Sequence, residues 1–404
     1  MSEKTITPVL LGAELNAYSV ARAFNEKFNS VSYAFGKVAL GFTSNSSIIK
    51  VRIVDDLADE SRTIPMLIDF ARKHQNEELY LLGCTDEFAE MIINHRDELG
   101  QYYFTPYITS DLAKQLISKE AFYTMCDKYG IDYPKTYIFR SDSDYSVLDS
   151  GLPFDYPIII KPSKSASYWI HPFEGMKKVY SADNSEEAKR IVKQIFDAGY
   201  DDSLIIQDTI PGDDSKMYVL TNYSDTDGKV RMMNLGHVLL QEHTPKGMGN
   251  HTAVITEYHE EIVSKLRDFL NEIKYVGFSN FDIKFDERDK KFKVFEINLR
   301  QGRSNYYVTS SGNNIAECLY NNRHNCYDND ISICKSPFFW ITVPKRIVYK
   351  YTDDKSMVQR LKKLVKEGKS ASSLWYKKDL KNPKRLFFVL VHSYRYFGKY
   401  KKYH

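Results

Sequence analysis

The chain has 404 residues, which is enough for two or three domains that each bury a hydrophobic core. Apolar residues make up 43% of it and charged residues 27%, a globular composition that excludes a disordered or fibrous chain. The net charge of +3 is too small to favour nucleic acid as a partner, so any anion site must be local.

The sequence also indicates the cellular compartment in which the protein is found. Its five cysteines have no C-x-x-C spacing, so neither a disulfide framework nor a zinc site is indicated. The N-terminus lacks the features of a signal peptide, and the apolar run at 386–391 is far shorter than the roughly 20 residues that cross a bilayer. We therefore predict a cytoplasmic protein.

The first part of the chain alternates buried strands with helices. An apolar run at 8–12 and another at 79–83 each end in glycine, and each precedes a helical pattern. This order predicts an α/β domain with a parallel sheet over residues 1–110. We interpret Gly12 and Gly83 as turns at strand ends, because a single glycine after a strand is weak evidence for nucleotide binding.

The pattern then changes. A helix is predicted over 110–129, with Gly130 as its C-cap. Strands follow at 156–162 and 203–212, with a helix over 185–198 between them. These elements predict one small lobe.

The later part of the chain is again rich in strands. It contains a loop with two glycines at 243–252 and a helix near 260–273. Two strands, 277–286 and 291–300, are joined by a hairpin-like turn. The residues from about 331 onward, rich in lysine, arginine and aromatics, predict an appended basic subdomain.

The strongest chemical signal is the segment FEINLRQGR. Glu296 and Asn298 are two residues apart on a strand and therefore point to the same face, which Asp282 on the preceding strand can reach. Three oxygen ligands without histidine or cysteine suit Mg²⁺, which takes its other ligands from water and nucleotide phosphates. The alternative is a surface strand with solvated charges.

Two arginines follow in the same segment. Arg300 continues the two-residue step, so its guanidinium could stabilise a transferring phosphoryl group. Arg303 could bind a substrate carboxylate in bidentate fashion, and a structural salt bridge explains it equally well. His243 and His251 could assist proton removal from an amine, or could be solvent-facing loop residues.

Two elements of the small lobe suggest nucleotide binding. Lys161 ends a buried strand, where its charge needs a partner such as a phosphate, unless it reaches solvent. Backbone groups of 208–210 could hydrogen-bond an adenine edge, and Asp213 or Asp214 could bind ribose hydroxyls. The alternative for this segment is an acidic turn.

The C-terminal residues 393–404 interleave tyrosines with lysines and one arginine. Such a segment could attract a nucleotide-sugar pyrophosphate, or make a peripheral contact with an anionic membrane surface. A solvated basic terminus is the simpler interpretation.

Taken in order, these features resemble the ATP-grasp superfamily from residue 111 to about 315, and 1–110 is similar to the α/β domain that precedes its core. The resemblance implies an α/β fold, with an α+β ATP-grasp domain at 111–330 and a basic C-terminal subdomain at 331–404. The small lobe would be about 111–210 and the large lobe about 211–330.

The resemblance also implies roles for individual residues. Those that would bind ATP are Lys119, Lys161, Gln207, Asp208, Thr209, Ile210 and Asp214. Those that would bind Mg²⁺ are Asp282, Glu296 and Asn298, and Arg300 would hold the acyl phosphate. In one respect the sequence departs from the family, because the phosphate-covering loop is usually glycine-rich, whereas 163–175 carries Ser163, Lys164, Ser165 and aromatic residues.

Within the superfamily, the opening PVLLGAELNAYSVARAF, the loop EHTPKGMGNHT and the late segments VPKRIVYKY and LWYKKDLKNPKR resemble bacterial D-aspartate ligases. That resemblance implies phosphorylation of the β-carboxylate of D-aspartate and its transfer to the lysine ε-amine of a muramyl-pentapeptide precursor. The alternatives are another amino-acid or dipeptide ligase of the superfamily, and a nucleotide-binding regulator without turnover. The sequence does not indicate an oligomeric state.

Overall fold

The computed structural model describes residues 4–245, 247–327 and 330–404, with the side chains of 165–166 outside the description. The chain forms two compact units. Unit 1 comprises Met1–Ala113, Asp214–Asp282 and Ile297–His404, and unit 2 comprises Lys114–Asp213 and Ile283–Glu296. The predicted α/β fold class is confirmed.

The strands in chain order are β1 Ile6–Leu11, β2 Ser32–Gly36, β3 Ile49–Ile53, β4 Glu78–Gly83, β5 Thr136–Phe139, β6 Ile158–Pro162, β7 Tyr180–Ala182, β8 Leu204–Asp208, β9 Met217–Ser224, β10 Val230–Glu242, β11 Asn250–Glu257, β12 Gly277–Asp286, β13 Lys291–Asn298, β14 Ser332–Ile333, β15 Phe339–Ile341 and β16 Ser370–Ser372.

The α-helices in chain order are α1 Leu15–Phe28, α2 Glu60–Lys73, α3 Asp86–Asn94, α4 Arg96–Leu99, α5 Ser110–Ile117, α6 Lys119–Tyr129, α7 Val147–Ser150, α8 Ser165–Trp169, α9 Ser185–Asp197, α10 Glu260–Glu272, α11 Tyr306–Ser310, α12 Ile315–Arg323, α13 Lys345–Tyr351, α14 Lys355–Lys366 and α15 Pro383–Tyr403. Short 3-10 turns lie at Asp214–Lys216 and Asp379–Lys381.

The N-terminal part of unit 1 contains the predicted parallel sheet, in the order β3-β2-β1-β4. Gly12 directly follows β1 with a φ of +118°, a conformation that favours glycine. Gly83 ends β4, and a Cβ there would lie 2.5 Å from the backbone nitrogen of Ala89, so α3 approaches this strand closely. Both glycines lie at strand ends, as predicted.

Unit 2 is built on an antiparallel sheet in the order β5-β8-β6-β7. Its core packs the apolar faces of β6 and β8 against α9, with Ile160, Ile206 and Ile195 fully buried. The side chain of Asn184 caps α9 by accepting a hydrogen bond from the Glu187 amide. This packing fixes β6, which carries Lys161.

The single helix predicted over 110–129 is wrong, because the structure has two helices there. Ser118 adopts an extended backbone conformation between α5 and α6, and its hydroxyl accepts a hydrogen bond from the Ala121 amide. An N-cap of this kind starts a new helix, and it makes Lys119 the first residue of α6. The C-cap prediction is confirmed, since Gly130 ends α6 in the left-handed conformation with φ +64°.

A larger sheet has the strand order β13-β12-β9-β10-β11-β15-β16, and β14 pairs with β10. Strands β12 and β13 are hydrogen-bonded neighbours joined by a four-residue turn, so the predicted hairpin is present. The tip of this hairpin, Ile283–Glu296, belongs to unit 2, whereas Asp282 and Asn298 belong to unit 1.

The C-terminal segment is a packed helix whose last four residues are exposed, so the interpretation as a solvated terminus holds only for part of it. It forms α15, a helix of 21 residues whose first turn is capped by the side chain of Asn382. Tyr396 and Tyr400 are buried on its inner face, in a core shared with α13 and β15. Within the described residues, no helix combines the length and apolar character that crossing a membrane requires.

Candidate active site

Unit 2 gathers three lysines around one carboxylate. Lys119 at the start of α6, Lys161 on β6 and Lys178 just before β7 all act electrostatically on Glu296 near the end of β13. The Nζ of Lys119 lies 3.5 Å from Oε2 of Glu296. The sequence predicted three of these four residues for the site and missed Lys178, because an irregular segment offers no periodicity to mark it.

This cluster has an excess of positive charge. Desolvation lowers the pKa of Lys161 to about 8, with Lys119 and Lys178 lowering it further against the opposing effect of Glu296. Burial alone would raise the pKa of Glu296, but the three lysines outweigh that effect and hold it below its ordinary value. The cluster is therefore suited to bind an additional anion.

Lys161 in particular has the surroundings of a ligand-binding group. Its Nζ lies 5.7 Å from the centre of the Phe295 ring. Among the residues that the structure describes, no carboxylate lies within ion-pair distance of it. A desolvated ammonium group in this state gains when a phosphate oxygen arrives.

Two of the predicted magnesium ligands meet in unit 1. The Nδ2 of Asn298 lies 3.2 Å from Oδ2 of Asp282 and donates also to the Asn280 carbonyl at 3.2 Å. These contacts leave Oδ1 of Asn298 for another partner. Glu296 precedes Asn298 by two residues on the same strand, and alternate residues of a strand point to the same face. The oxygens of Asp282 and Asn298 are of the kind that Mg²⁺ prefers, and the three-ligand site stays a prediction.

The Arg300 side chain already has an anionic partner in unit 1. Its NH2 donates to Oδ2 of Asp86 at 3.0 Å, and its Nε lies 2.9 Å from Oδ1 of the same carboxylate. Asp86 is the first residue of α3 and is largely exposed, whereas Arg300 is mostly buried. An exposed carboxylate is exchangeable, so the guanidinium can release it for a bound anion.

Buried amides fix the backbone that carries the two arginines. The Asn16 Nδ2 donates to the Gln301 carbonyl at 3.1 Å and to the Cys84 carbonyl at 2.9 Å. Nδ2 of Asn305 donates to Oδ1 of Asn16 at 2.7 Å, and Nε2 of Gln301 donates to the Gly83 carbonyl at 3.2 Å. This segment is therefore attached to the carboxyl end of β4.

Arg303 lies in unit 1 among polar side chains. Its guanidinium acts electrostatically on His251 and on the Tyr396 hydroxyl of α15. Within the described part of the chain, no carboxylate lies within ion-pair distance of Arg303. The salt-bridge alternative for this residue therefore has no partner there, and a substrate carboxylate is a suitable one.

Glu242 lies beside Tyr396 and is bound by several other groups. It accepts hydrogen bonds from Tyr396 at 3.1 Å, Lys399 at 2.7 Å and Thr244 at 2.7 Å. Burial alone would raise the pKa of Glu242, but these partners hold it below its ordinary value. Helix α15 thus places Tyr396 and Lys399 beside Glu242.

His251 is the second residue of β11 rather than a loop residue, and it is partly buried. Desolvation lowers its pKa to about 4; Asp214 opposes this shift and Arg303 adds to it. Its Nδ1 lies 3.5 Å from the Ser304 hydroxyl. A neutral imidazole with this pKa is a weak base at neutral pH, so it is better suited to hold a substrate group than to remove a proton.

Asp214 and His243 form a pair in unit 1. Oδ2 of Asp214 accepts from the Gln241 amide at 2.8 Å and lies 2.9 Å from Nε2 of His243. The His243 ring in turn stacks on His404, the last residue, with centroids 4.6 Å apart. The ribose-binding role expected of Asp214 stays a prediction.

The segment expected to line the adenine lies in unit 2. The side chain of Gln207 donates to Tyr123 and to Thr136, each at 2.8 Å, and so holds α6 against β5. The Ile210 carbonyl accepts from Nζ of Lys284 at 2.8 Å.

Asp208 is bound by the guanidinium of Arg288 at 3.1 and 2.6 Å. The hydroxyl of Thr209 is buried without a hydrogen-bond partner in the described residues. The side chains of Gln207 and Asp208 therefore have structural partners, and the adenine contact of this segment stays a prediction.

The loop at 163–175 includes the short helix α8. Ser163 Oγ donates to Oδ1 of Asp202 at 3.0 Å, and Lys164 Nζ lies 2.7 Å from Oδ2 of the same carboxylate. The side chain of Ser165 lies outside the described residues. Whether this loop covers phosphates stays a prediction.

The comparisons give one curated relative. The chain is 36% identical over 407 residues to a D-aspartate ligase of Enterococcus faecium (strain Aus0004), covering 98% of this chain and 96% of the relative. No protein-family model matches.

Solved structures are similar in fold. One is an L-amino acid ligase of Bacillus licheniformis, with a TM-score of 0.55 and 14% identity, covering 80% of this chain and 75% of that one. Another is an ADP complex of N5-carboxyaminoimidazole synthetase from Staphylococcus aureus, with a TM-score of 0.58 and 11% identity, covering 83% and 82%. At these identities the likeness shows the fold.

Proposed function

This chain belongs to the D-aspartate ligase family of ATP-grasp enzymes, which makes it an ATP-dependent ligase, and we propose that it joins D-aspartate to a peptide amine. In the proposed reaction the β-carboxylate of D-aspartate is phosphorylated by ATP. The lysine ε-amine of a muramyl-pentapeptide precursor then displaces phosphate to form the amide.

The observation that carries the nucleotide part of this proposal is the excess positive charge around Glu296. Lys119, Lys161 and Lys178 would hold the phosphates of ATP, because one carboxylate does not neutralise three ammonium groups. Glu296, Asp282 and Asn298 would bind Mg²⁺. MgATP, when bound, supplies the phosphoryl group that converts the carboxylate into an acyl phosphate.

The surroundings of Arg303 support an amino acid with a second carboxylate. The activated β-carboxylate needs a cationic group beside the phosphoryl donor, a role that suits Arg300. The α-carboxylate needs another, and Arg303 has no carboxylate partner in the described residues. Two arginines three residues apart therefore suit the two carboxylates of aspartate.

Arg300 would exchange one anionic partner for another when the acyl phosphate forms. Before the substrate binds, Asp86 neutralises its charge. The acyl phosphate would replace Asp86 as the partner, and the guanidinium would stabilise the charge that develops as the amine attacks. The two imidazoles that interact with Arg303, those of His251 and His392, have pKa values lowered to about 4 by burial, so the amine would enter as the free base.

Another amino-acid or dipeptide ligase is the second candidate, and the fold likeness to an L-amino acid ligase favours it over unrelated chemistries. A nucleotide-binding regulator without turnover would have no chemical need for all of Asp282, Glu296, Asn298 and Arg300. The candidates differ in which acceptor and which amino acid are required for ADP release.

The test measures Mg²⁺-dependent ADP release with a panel of D- and L-amino acids, with and without a lysine-containing muramyl-pentapeptide. We expect release only when D-aspartate and the peptide are both present. Release with a different pair would retain the ligase chemistry and replace the substrates. If no pair supports release by a protein that still binds MgATP, the regulator is the better description.

A further inference from the structure

Helix α15 presents a row of large apolar side chains to solvent. Phe387, Leu390, Tyr394 and Phe397, which we call the outer row, are 69%, 49%, 77% and 43% exposed. Their spacing of three or four residues places them along one side of the helix. Single exposed apolar residues are ordinary, but a contiguous row of four on one helix indicates a contact surface.

The same helix is strongly basic. From Pro383 to His404 the sequence contains six lysines and arginines and no aspartate or glutamate. Two of these cations point inward, where Arg385 is paired with Asp379 and Lys399 with Glu242. The other four are exposed.

The exposed cations flank the outer row. Lys384 lies one turn before Phe387, Arg395 is adjacent to Tyr394, and Lys401 lies one turn after Phe397. In the parts of the chain that the structure describes, none of these three has a carboxylate within ion-pair distance. Their charge is available to an external partner.

We propose that the outer row and the cations beside it attach this protein to the surface of a bilayer that contains anionic phospholipids. Aromatic and leucine side chains would enter the boundary between headgroups and acyl chains, with the helix lying in the plane of the surface. Lysine and arginine would contact the phosphates of the headgroups. The inner face of α15 stays packed in unit 1.

Charge complementarity selects the bilayer over a second copy of the chain. In a two-fold contact between antiparallel copies of α15, Lys384 of one copy would approach Lys401 of the other. With no acidic residue on the helix, nothing on that face would neutralise this repulsion. An anionic surface neutralises every cation at once.

The experiment is flotation of the purified full-length protein with vesicles of phosphatidylcholine alone or with a third phosphatidylglycerol. We expect at least tenfold more bound protein on the anionic vesicles, decreasing as salt is raised. The double variant Phe387→Ser with Tyr394→Ser, and separately Lys384→Gln with Lys401→Gln, should each lose most of this binding. None of these residues contributes to the proposed active site.

Two matched controls define the effect. Lys355→Gln with Lys366→Gln removes the same charge from the basic helix α14, which has no exposed large apolar residue, and should bind like the unmodified protein. Val38→Ser with Ile53→Ser removes two exposed apolar side chains elsewhere in unit 1, with the same expectation. Circular dichroism and thermal unfolding establish that all variants fold.

Three results would overturn the proposal. The first is equal binding to both vesicle types, and the second is no binding to either. The third is a dimer in light scattering that Phe387→Ser with Tyr394→Ser dissociates while vesicles are not bound, which would assign the row to a second copy. None of these measurements depends on the ligase reaction.

Discussion

The Nζ of Lys119 lies 3.5 Å from Oε2 of Glu296, joining the first residue of helix α6 to the strand that carries the predicted magnesium ligands. Glu296 therefore has two roles in unit 2. It partly neutralises the lysines, and it offers carboxylate oxygens to a cation. The two roles together make it the most informative residue to change.

Glu296→Gln keeps the shape of the side chain and removes its charge. We expect ADP release to fall on the order of 100-fold, since a metal ligand is weakened and the lysines lose their counter-charge. Steady-state kinetics at several Mg²⁺ concentrations would measure this. Glu120→Gln is the control, because Glu120 lies next to Lys119 but pairs with Arg140. Equal rates for the two variants would contradict the assigned role.

The pKa of Lys161 predicts how MgATP binding depends on pH. Because this pKa is about 8 in the free protein, Lys161 is charged at pH 7 and increasingly neutral above pH 8. Bound phosphate raises the pKa, so binding takes up a proton, and affinity falls by up to about tenfold per pH unit above 8.

Calorimetry in two buffers of different ionisation enthalpy would measure that proton uptake. Arginine at this position stays charged from pH 7 to 9. The affinity of Lys161→Arg for MgATP should therefore not show the decrease that deprotonation of Lys161 causes. If the unmodified protein and Lys161→Arg showed the same pH profile, Lys161 would not be the titrating group.

Arg303→Lys should raise the KM for the amino acid by on the order of 10- to 100-fold, because lysine keeps the charge but loses the bidentate geometry. The effect on kcat should be smaller, since the α-carboxylate is bound alike in the ground and transition states. Initial rates over a range of amino-acid concentrations separate the two parameters. The control Arg267→Lys, a partly exposed residue paired with its neighbour Asp268, should change neither. A loss confined to kcat would argue against carboxylate binding by Arg303.

Arg300 and Asp86 should respond in opposite directions. Arg300→Ala should lower kcat by roughly 10²- to 10³-fold, as loss of a group that stabilises developing charge does. Asp86→Asn releases Arg300 from its partner and should leave kcat unchanged or raise it within about threefold. Single-turnover measurements of ADP formation test both. A large loss in Asp86→Asn would show instead that this ion pair itself is needed.

The buried pair of Asp379 and Arg385 should contribute strongly to stability. Both side chains are fully buried, with Nε of Arg385 3.0 Å from Oδ2 of Asp379. Asp379 also accepts hydrogen bonds from Tyr18 at 2.9 Å and from the Ser47 amide at 2.6 Å. Asp379→Ala leaves a buried guanidinium unpaired and should lower the free energy of unfolding by about 3–5 kcal/mol.

Urea unfolding would measure this change. Asp197→Ala is the comparison, because it removes an exposed pair with Lys193 on α9 and should leave the free energy of unfolding nearly unchanged. Similar changes in the free energy of unfolding for the two variants would show that the buried pair does not stabilise the fold as expected.

Local patterns in the sequence predicted the features that depend on neighbouring residues. The alternation of Glu296 and Asn298 follows from the two-residue period of a strand, whereas Arg300, expected to continue it, lies beyond the end of β13. Gly12 and Gly130 have the positive φ that glycine tolerates, and Gly83 lies where α3 approaches β4 too closely for a Cβ. The break at Ser118 was missed because the residue fits a helical pattern, and only its side-chain hydrogen bond decides where α6 begins.

Contacts between distant segments were decided only by the tertiary structure. Asp86 beside Arg300, Tyr396 beside Arg303 and Lys178 near Glu296 are each remote in sequence, and no local period relates them. The basic C-terminal segment likewise has one property that the sequence shows and one that the tertiary structure decides. Its basic and aromatic composition is evident from the sequence. The packing of the helix against the rest of unit 1 decides which side of α15 is buried and leaves Phe387 and Tyr394 in solvent.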